Sequence, residues 1–86
     1  MKYVVYLIVT SAKNKTISYV GYTNNLKKRL SLHNSGKGAK FTKGKKWKLI
    51  YSQNYKTKTK AMKEEYKLKK NYKLRKIIKN IFLQHA

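Results

Sequence analysis

The acidic side chains of this sequence are two adjacent glutamates in a segment with helical periodicity. Glu64 and Glu65 point about 100° apart on a helix, so they cannot easily clamp one ion together. Glu65 falls on an apolar stripe at helical spacing, whereas Glu64 falls towards the charged face. The stripe consists of Ala61, Glu65, Leu68 and Tyr72. A carboxylate that faces a core costs free energy unless it is paired or binds a cation.

Glu65 is therefore the candidate metal ligand. If a metal ion binds there, one glutamate with several water molecules suits a single Mg²⁺ or Mn²⁺ ion, because Mg²⁺ accepts sparse protein ligation. Two structural alternatives are open: a half-buried salt bridge to one of the many lysines, and a favourable charge near a helix N-terminus. The sequence contains no aspartate, which excludes an Asp-containing catalytic triad and makes a two-carboxylate site hard to build.

Arg29 and His33 lie four residues apart, a spacing that brings both side chains to one neighbourhood on a helix. His33 is a candidate proton carrier or phosphate ligand, and the alternative is a histidine that satisfies the last carbonyls of its helix. Arg29 is one of two arginines beside 21 lysines, and its guanidinium can bind phosphate through two hydrogen bonds. A solvated helix charge is the alternative. Arg75 is interpreted as a plain basic-face residue, and His85 as incidental.

Tyr6 and Tyr19 lie on two strands that are expected to be neighbours. Tyrosines in strands usually serve core or cross-strand packing, which is the alternative to a chemical role. Gly21 is interpreted as a strand-to-helix turn, and the backbone there is a candidate contact for a phosphate of nucleic acid. A phenol with a pKa near 10 is a poor base at pH 7, and we expect nearby cations to stabilise its phenolate form.

The formal net charge of the 86-residue sequence is +21. Self-repulsion at this charge favours a polyanionic partner, and nucleic acid is the first expectation. An anionic membrane surface is the main rival. A lysine-biased genome is the neutral alternative, but such a bias normally raises the glutamate content as well. The sequence contains no cysteine, which excludes disulfides and thiolate metal sites and is compatible with a reducing compartment.

The segment NSGKGAKFTKGKK, residues 34–46, is predicted to be a flexible loop by its glycines and polar residues. It lacks the spacing of a nucleotide-binding P-loop, so a basic grip on a nucleic acid backbone is the simpler interpretation. The lysines predicted to contact nucleic acid, in this loop and before it, are Lys27, Lys28, Lys37, Lys40, Lys43 and Lys45.

Residues 3–9 and 16–22 are rich in β-branched and aromatic side chains and predict two strands joined by a turn at residues 11–15. The first segment is apolar on both faces, so we expect it at the centre of a sheet. It is too short for a membrane span or for a signal-peptide core with its cleavage site, and we therefore expect a cytoplasmic protein.

Thr23 or Asn24 is expected to cap the helix that follows, and Leu26 and Leu30 lie on its buried face. Residues 47–55 alternate in polarity and predict a third strand.

The remaining chain is predicted to be helical, with a break at Asn71. The apolar positions of the last helix are Leu74, Ile77, Ile78, Ile81 and Phe82. The order β-β-α-β-α-α indicates an α+β fold, and we expect residues 1–86 to form a single domain.

Two short sequence motifs resemble the paired signature of the GIY-YIG nuclease superfamily. They are VVY at residues 4–6 and YVG at residues 19–21. The segments TNNLKKRLSLHNSGKGAKFTKGK and AMKEEYKLKK are similar to the small single-domain branch of that family. The resemblance runs from about Tyr3 to Lys70. It implies a three-stranded antiparallel sheet flanked by helices, and hydrolysis of phosphodiester bonds with a divalent metal ion.

The resemblance also implies roles for individual residues. Tyr6 matches the first signature tyrosine, expected as the general base or its hydrogen-bond relay, and Tyr19 matches the second, expected to contact phosphate. Gly21 matches a glycine that leaves room in the site. Arg29 matches the arginine expected to stabilise the pentacovalent transition state.

Two further residues complete the implied site. His33 matches a histidine near the tyrosines, and Glu65 matches the metal-binding glutamate. Larger family members carry a downstream asparagine, but neither Asn71 nor Asn80 lies in a matching motif. Larger members also have a separate DNA-binding domain, and we expect the basic surface of this chain to substitute for it.

Two functional hypotheses follow from these residues and from the charge. The first is a small metal-dependent DNA endonuclease that acts in repair or on branched or nicked DNA. The second is a nucleic-acid-binding module that has the same fold and weak or no catalysis. A membrane-surface protein is a weaker third hypothesis, because it leaves the tyrosine, arginine and glutamate set unexplained.

Overall fold

The computed structural model describes residues 2–12 and 15–84, so His85 lies outside the described residues. The elements are β1 (Tyr3–Ala12), β2 (Lys15–Thr23), α1 (Leu26–Asn34), a 3-10 helix (Lys40–Thr42), β3 (Lys48–Tyr55), α2 (Lys58–Lys70) and α3 (Tyr72–Gln84). This order confirms the predicted β-β-α-β-α-α arrangement and the α+β class. No helix within the described ranges is long and apolar enough to cross a membrane.

The three strands form one antiparallel sheet in the order β2-β1-β3. The strand that is apolar on both faces, β1, lies at the centre as predicted, because it is covered on both sides. In its pairing with β2, Tyr6 lies directly opposite Gly21. In this order β2 is an edge strand, with β1 as its neighbour in the sheet.

Side chains alternate between the two faces of β1. On one face Val5 and Leu7 pack against α2, and on the other Tyr6 and Ile8 pack against α1. The first cluster contains Val5, Leu7, Val20, Ala61 and Leu68, and the second contains Tyr6, Ile8 and Trp47. Leu26 and Leu30 of α1 pack against the second cluster, which confirms their predicted burial. The helices α1 and α2 therefore cover opposite faces of the sheet.

The strand pair is longer than predicted. The ladder continues to the Ala12–Lys15 pair, so the turn is shorter than residues 11–15. At the other end β2 continues through Gly21 to Thr23, which corrects the prediction that Gly21 forms the strand-to-helix turn. Asn25, rather than Thr23 or Asn24, caps α1, because its side-chain oxygen accepts a hydrogen bond from the Lys28 backbone N–H at 3.1 Å.

The predicted break at Asn71 is confirmed. Its backbone N–H donates to the Lys67 and Leu68 carbonyls at the end of α2. Its side-chain oxygen accepts from the Leu74 backbone N–H at 3.0 Å at the start of α3. Tyr72 belongs to α3, so it does not continue the apolar stripe of α2. The prediction that it does is wrong, and Tyr72 is 62% exposed.

The apolar side chains of α3 are less buried than the pattern indicates. Ile78 packs against the α2-side cluster, whereas Leu74, Ile77 and Ile81 are exposed in the described chain.

Candidate active site

A buried chain of hydrogen bonds links one side chain from each of three elements. The Tyr6 hydroxyl of β1 lies 2.8 Å from Nε2 of His33 in α1, and Nδ1 of His33 lies 2.8 Å from Oγ1 of Thr42 in the 3-10 helix. All three side chains are almost completely inaccessible to solvent. Both ring nitrogens of His33 are engaged, which corrects the alternative that this ring satisfies the last carbonyls of its helix.

Thr42 sets the direction of the hydrogen bonds. Its hydroxyl donates to the Ala39 carbonyl oxygen at 2.9 Å. A hydroxyl has one proton, so Oγ1 accepts from His33, which places the imidazole proton on Nδ1. Burial lowers the pKa of His33 below 6.5, and the positive charge of Arg29 lowers it further. The ring is therefore neutral at pH 7, and its Nε2 accepts a hydrogen bond from the Tyr6 hydroxyl.

The Tyr6 phenol keeps its own proton at neutral pH. Burial raises the pKa of Tyr6 above 10.0, and the Arg29 guanidinium opposes this rise without cancelling it. Tyr19 and the negative charge of Glu65 raise the pKa further. The expectation that nearby cations favour phenolate is therefore wrong for Tyr6, because loss of solvent outweighs their attraction.

Arg29, Tyr19 and Glu65 all lie close enough to the Tyr6 hydroxyl to influence its ionisation. Arg29 comes from α1, one turn before His33, and its charge acts on both Tyr6 and His33. The Tyr19 ring meets the His33 ring edge-on, with centroids 5.2 Å apart. These elements converge on the Tyr6 hydroxyl, which lies over the edge strand β2.

Two glycines make this approach of side chains possible. A Cβ atom on Gly21 would overlap the Tyr6 hydroxyl and lie 2.6 Å from its Cζ. A Cβ atom on Gly38 would lie 2.5 Å from Nδ1 of His33. Gly21 is therefore required to admit the Tyr6 ring, and its contact with nucleic acid stays a prediction.

The segment between α1 and β3 is fixed to the protein, in contrast to the flexible loop that was predicted. The Asn34 side chain donates to the Trp47 carbonyl at 3.2 Å and accepts from the Trp47 backbone N–H. The Trp47 indole N–H donates to the Thr42 carbonyl at 2.9 Å. These contacts hold Thr42 against His33.

Glu65 is partly buried and paired with a lysine. Its Oε1 lies 3.5 Å from Nζ of Lys69, and its side chain is 17% exposed. The salt bridge that was the structural alternative is thus present, although it leaves Glu65 close to Tyr6. No group of three or more His, Cys, Asp or Glu residues that could hold a metal occurs in the described chain. A single carboxylate suits one Mg²⁺ or Mn²⁺ ion that keeps most of its water ligands.

Glu64 lies elsewhere, on the side of α2 that faces β3. Its Oε2 lies 3.1 Å from Nζ of Lys67 and 3.7 Å from Nζ of Lys60. Its side chain is 23% exposed and borders Tyr51 and Tyr55 as well as the two lysines, so the prediction that Glu64 falls towards the charged face is only partly right. The two carboxylates are therefore separate, as predicted from their spacing.

The lysines predicted to bind nucleic acid surround α1 and the segment that follows it. Lys27, Lys28, Lys37, Lys40 and Lys43 are exposed. Lys45 is partly buried, with its ammonium 5.6 Å from the centroid of the Phe41 ring. Their positions suit a polyanion on this side of the molecule, and the individual contacts stay predictions.

A model of the GIY-YIG catalytic domain matches residues 2–77. The chain belongs to the GIY-YIG family. This GIY-YIG chain is 40% identical over 65 residues to a UPF0213 protein of Oceanobacillus iheyensis, with 74% of each chain covered. It is 47% identical over 66 residues to a UPF0213 protein of Bacillus licheniformis, with 76% of this chain and 67% of the relative covered.

A solution NMR structure of the UPF0213 protein BH0048 from Bacillus halodurans is 33% identical to this GIY-YIG chain. The match covers 96% of this chain and 85% of that one, with a TM-score of 0.49. The family match places the chain in a nuclease superfamily.

The GIY-YIG fold brings all five predicted catalytic side chains around one hydroxyl. These residues are Tyr6, Tyr19, Arg29, His33 and Glu65.

Sequence reasoning missed the residues that hold these side chains in place. Thr42, Asn34 and Gly38 lie in a segment that was interpreted only through its glycines and lysines. The available signal was a threonine next to Phe41 and a tryptophan shortly after it, because two large apolar residues in a basic loop indicate partial burial.

Proposed function

We propose that this protein is a metal-dependent endonuclease that hydrolyses DNA phosphodiester bonds, with branched or nicked DNA such as arises in repair as its substrate. The observation that carries the proposal is the buried Tyr6–His33 hydrogen bond, whose hydroxyl is also under the influence of Arg29 and Glu65. We further propose that residues 1–86 act as a single domain.

Tyr6 and His33 together would accept the proton of the attacking water. The Tyr6 hydroxyl is protonated at pH 7, so it cannot act as a free phenolate base. As the water oxygen bonds to phosphorus, its proton passes to the Tyr6 oxygen, and the Tyr6 proton passes to Nε2 of neutral His33. The bond between phosphorus and the leaving oxygen then breaks, and the leaving oxygen takes a proton from solvent water. This relay leaves Tyr6 neutral throughout and places the positive charge on His33.

Arg29, Tyr19 and Glu65 would complete the site. The Arg29 guanidinium would neutralise the charge that develops on the phosphate, and the Tyr19 hydroxyl would contact the same group. Glu65 would hold one Mg²⁺ or Mn²⁺ ion, which supplies polarisation of a phosphoryl oxygen when bound.

The test is nicking of supercoiled plasmid at low salt with Mg²⁺ or Mn²⁺, for the wild type, Glu65→Gln and Glu64→Gln. Both substitutions remove one negative charge from adjacent positions of α2. We expect Glu65→Gln to lose at least about a hundredfold in rate, whereas Glu64→Gln keeps wild-type activity because Glu64 lies away from Tyr6. A chelator should abolish cleavage by the wild type.

Equal cleavage by the wild type and Glu65→Gln would overturn the metal assignment and would indicate a contaminating nuclease. Equal loss in both variants would attribute the effect to the net charge of the surface.

The second candidate is a nucleic-acid-binding module with weak or no catalysis. Two observations favour it: the net charge of +21, and the Lys69 ammonium that already neutralises Glu65. Binding without cleavage that falls steeply with salt and survives Glu65→Gln would support this candidate.

A further inference from the structure

A second concave region lies beside the candidate active site, along the free edge of β2. This β2-edge cleft is lined by Ser18, Tyr19, Val20, Phe41, Lys69 and Arg75. Its volume is about 250 Å³. Tyr19 forms a wall of both the cleft and the active site, so a DNA strand at the scissile position can continue directly into the cleft.

One wall of the cleft is an aromatic ring held in place from behind. Phe41 is 52% exposed. It stacks on Tyr19 with centroids 6.1 Å apart and an angle of 21°, and its centroid lies 6.2 Å from that of buried Trp47. The Lys45 ammonium lies 5.6 Å from the centroid of this ring. An unpaired base that displaces this ammonium can stack on the fixed ring.

The opposite wall is cationic. Arg75 of α3 donates from Nη1 to the Ser18 hydroxyl at 3.4 Å, and its Cζ lies 5.8 Å from the centroid of the Tyr72 ring. Its Nε is buried and makes no hydrogen bond within the described residues. Lys69 lies between this guanidinium and the active site, since it lines the cleft and pairs with Glu65. Because this Nε is shielded from solvent, a phosphate in the cleft would bind the terminal N–H groups of the guanidinium.

We propose that the β2-edge cleft binds one unpaired nucleotide adjacent to the cleaved bond, with its base on Phe41 and its phosphate on Arg75 and Lys69. This inference rests on the proposed nuclease function and narrows its substrate to DNA that is single-stranded next to the cleavage point. A base inside a duplex is covered on both faces by its neighbours and cannot stack on Phe41. Arg75, which was interpreted as a plain basic-face residue, is thereby assigned to substrate binding.

The test is DNA binding measured by fluorescence anisotropy in the presence of a chelator, so that cleavage plays no part. The probes are a labelled oligothymidine, the same strand with abasic positions, and a blunt duplex of equal length. Phe41→Leu keeps an apolar side chain and removes the aromatic face, whereas Phe41→Tyr keeps the aromatic face. We expect Phe41→Leu to weaken single-strand binding about tenfold and duplex binding less than twofold, because stacking requires an accessible base.

Abasic positions should weaken binding to the wild type and have little further effect on Phe41→Leu. Phe41→Tyr should bind like the wild type. Equal affinity of Phe41→Leu and wild type for the single strand, or an equal loss on single strand and duplex, would overturn the stacking role.

Arg75→Gln and Lys76→Gln form a second matched pair, since both remove one positive charge from α3 and Lys76 is exposed outside the cleft. We expect Arg75→Gln to weaken binding of the single strand more than that of the duplex, and Lys76→Gln to affect both equally. Equal behaviour of the two variants would overturn the phosphate contact, and this pair also serves if Phe41→Leu does not fold.

These outcomes separate the cleft from the nuclease proposal. A wild type that binds no DNA overturns both. If the protein binds single strands selectively but fails the plasmid assay, the cleft proposal is supported and the nuclease proposal is overturned. If the protein cleaves DNA with metal but Phe41→Leu does not change binding, the nuclease proposal is supported and the cleft proposal is overturned.

Discussion

The two faces of β1 differ in the kind of interaction that covers them. Val5 and Leu7 point towards α2 and contact aliphatic side chains. Tyr6, between them in sequence, points towards α1 and forms a hydrogen bond to His33, which in turn binds Thr42. The buried cluster on the α2 side is therefore aliphatic, whereas the α1 side combines an apolar cluster around Ile8 with a buried chain of hydrogen bonds.

The difference separates stability from chemistry. Aliphatic packing depends on volume and has no preferred direction, whereas a hydrogen bond depends on the position and protonation of two atoms. A buried polar group that loses its partner also costs more than the bond itself contributes. We infer that the α2 side of β1 mainly holds the sheet together, and that the α1 side mainly positions the Tyr6 hydroxyl.

The largest expected effect comes from removing a single oxygen on the α1 side. Tyr6→Phe should lower the cleavage rate about 10²- to 10⁴-fold, because it removes the group that takes the proton from water. The free energy of unfolding should fall by only about 1–3 kcal/mol, since His33 loses one partner. Cleavage kinetics and urea denaturation measure the two quantities.

Tyr55→Phe is the matched control for this variant, because it removes a phenol oxygen near Glu64 rather than near the site. It should keep wild-type cleavage. A rate for Tyr6→Phe within tenfold of the wild type would rule out proton transfer through Tyr6.

The next effect should appear on the α2 side and in stability. Leu7 is 0% exposed. Leu7→Ala should lower the free energy of unfolding by about 2–5 kcal/mol through lost burial and a cavity. Cleavage per folded molecule, measured at a temperature where the variant remains folded, should match the wild type. If folded Leu7→Ala cleaved DNA much more slowly than the wild type, the α2 face would also position the site, and the proposed division between the two faces would be wrong.

The smallest effect is the pH dependence of the α1 side. The pKa of His33 lies below 6.5 in the folded protein, so the unfolded chain binds a proton that the folded protein does not. Stability should therefore be lost as pH falls from 6.5 towards the folded pKa. Cleavage should fall at lower pH, as the pH passes through the folded pKa of His33, because a protonated ring cannot accept a hydrogen bond from Tyr6.

The pKa of Tyr6 is raised, so its effect on stability has the opposite dependence on pH. The folded protein keeps a proton that the unfolded chain releases above pH 10.0, so stability should decline as pH rises above that value. Urea denaturation across pH measures both limbs. His33→Gln should reduce the loss of stability below pH 6.5. An unchanged loss in this variant would assign the effect to another titrating group.

Features with a strong local signal were predictable from the sequence. The central position of β1 follows from a strand that is apolar on both faces, and the break at Asn71 follows from a residue suited to end and start helices. Glu65 was chosen as the candidate metal ligand because a carboxylate interrupted an apolar stripe, and its metal binding stays a prediction. Each of these conclusions depends on residues close together in the chain.

Features that depend on distant contacts were not predictable. The need for Gly21 appears only when the sheet register places it opposite Tyr6. The pairing of His33 with Thr42 depends on how an intervening segment folds back, and no periodic pattern describes that path. The sign of the Tyr6 pKa shift depends on how completely the phenol is removed from water, which the lysine content of the sequence does not reveal.

The far end of the hydrogen-bond chain has a consequence for turnover. Thr42 donates to the Ala39 carbonyl, and a carbonyl oxygen has no proton to pass onward. His33 has no access to solvent. A proton that arrives on this ring therefore has no second exit among the described groups and must return through the Tyr6 oxygen. In the proposed relay, the His33 ring would therefore have to return its proton through Tyr6 before the next round of cleavage.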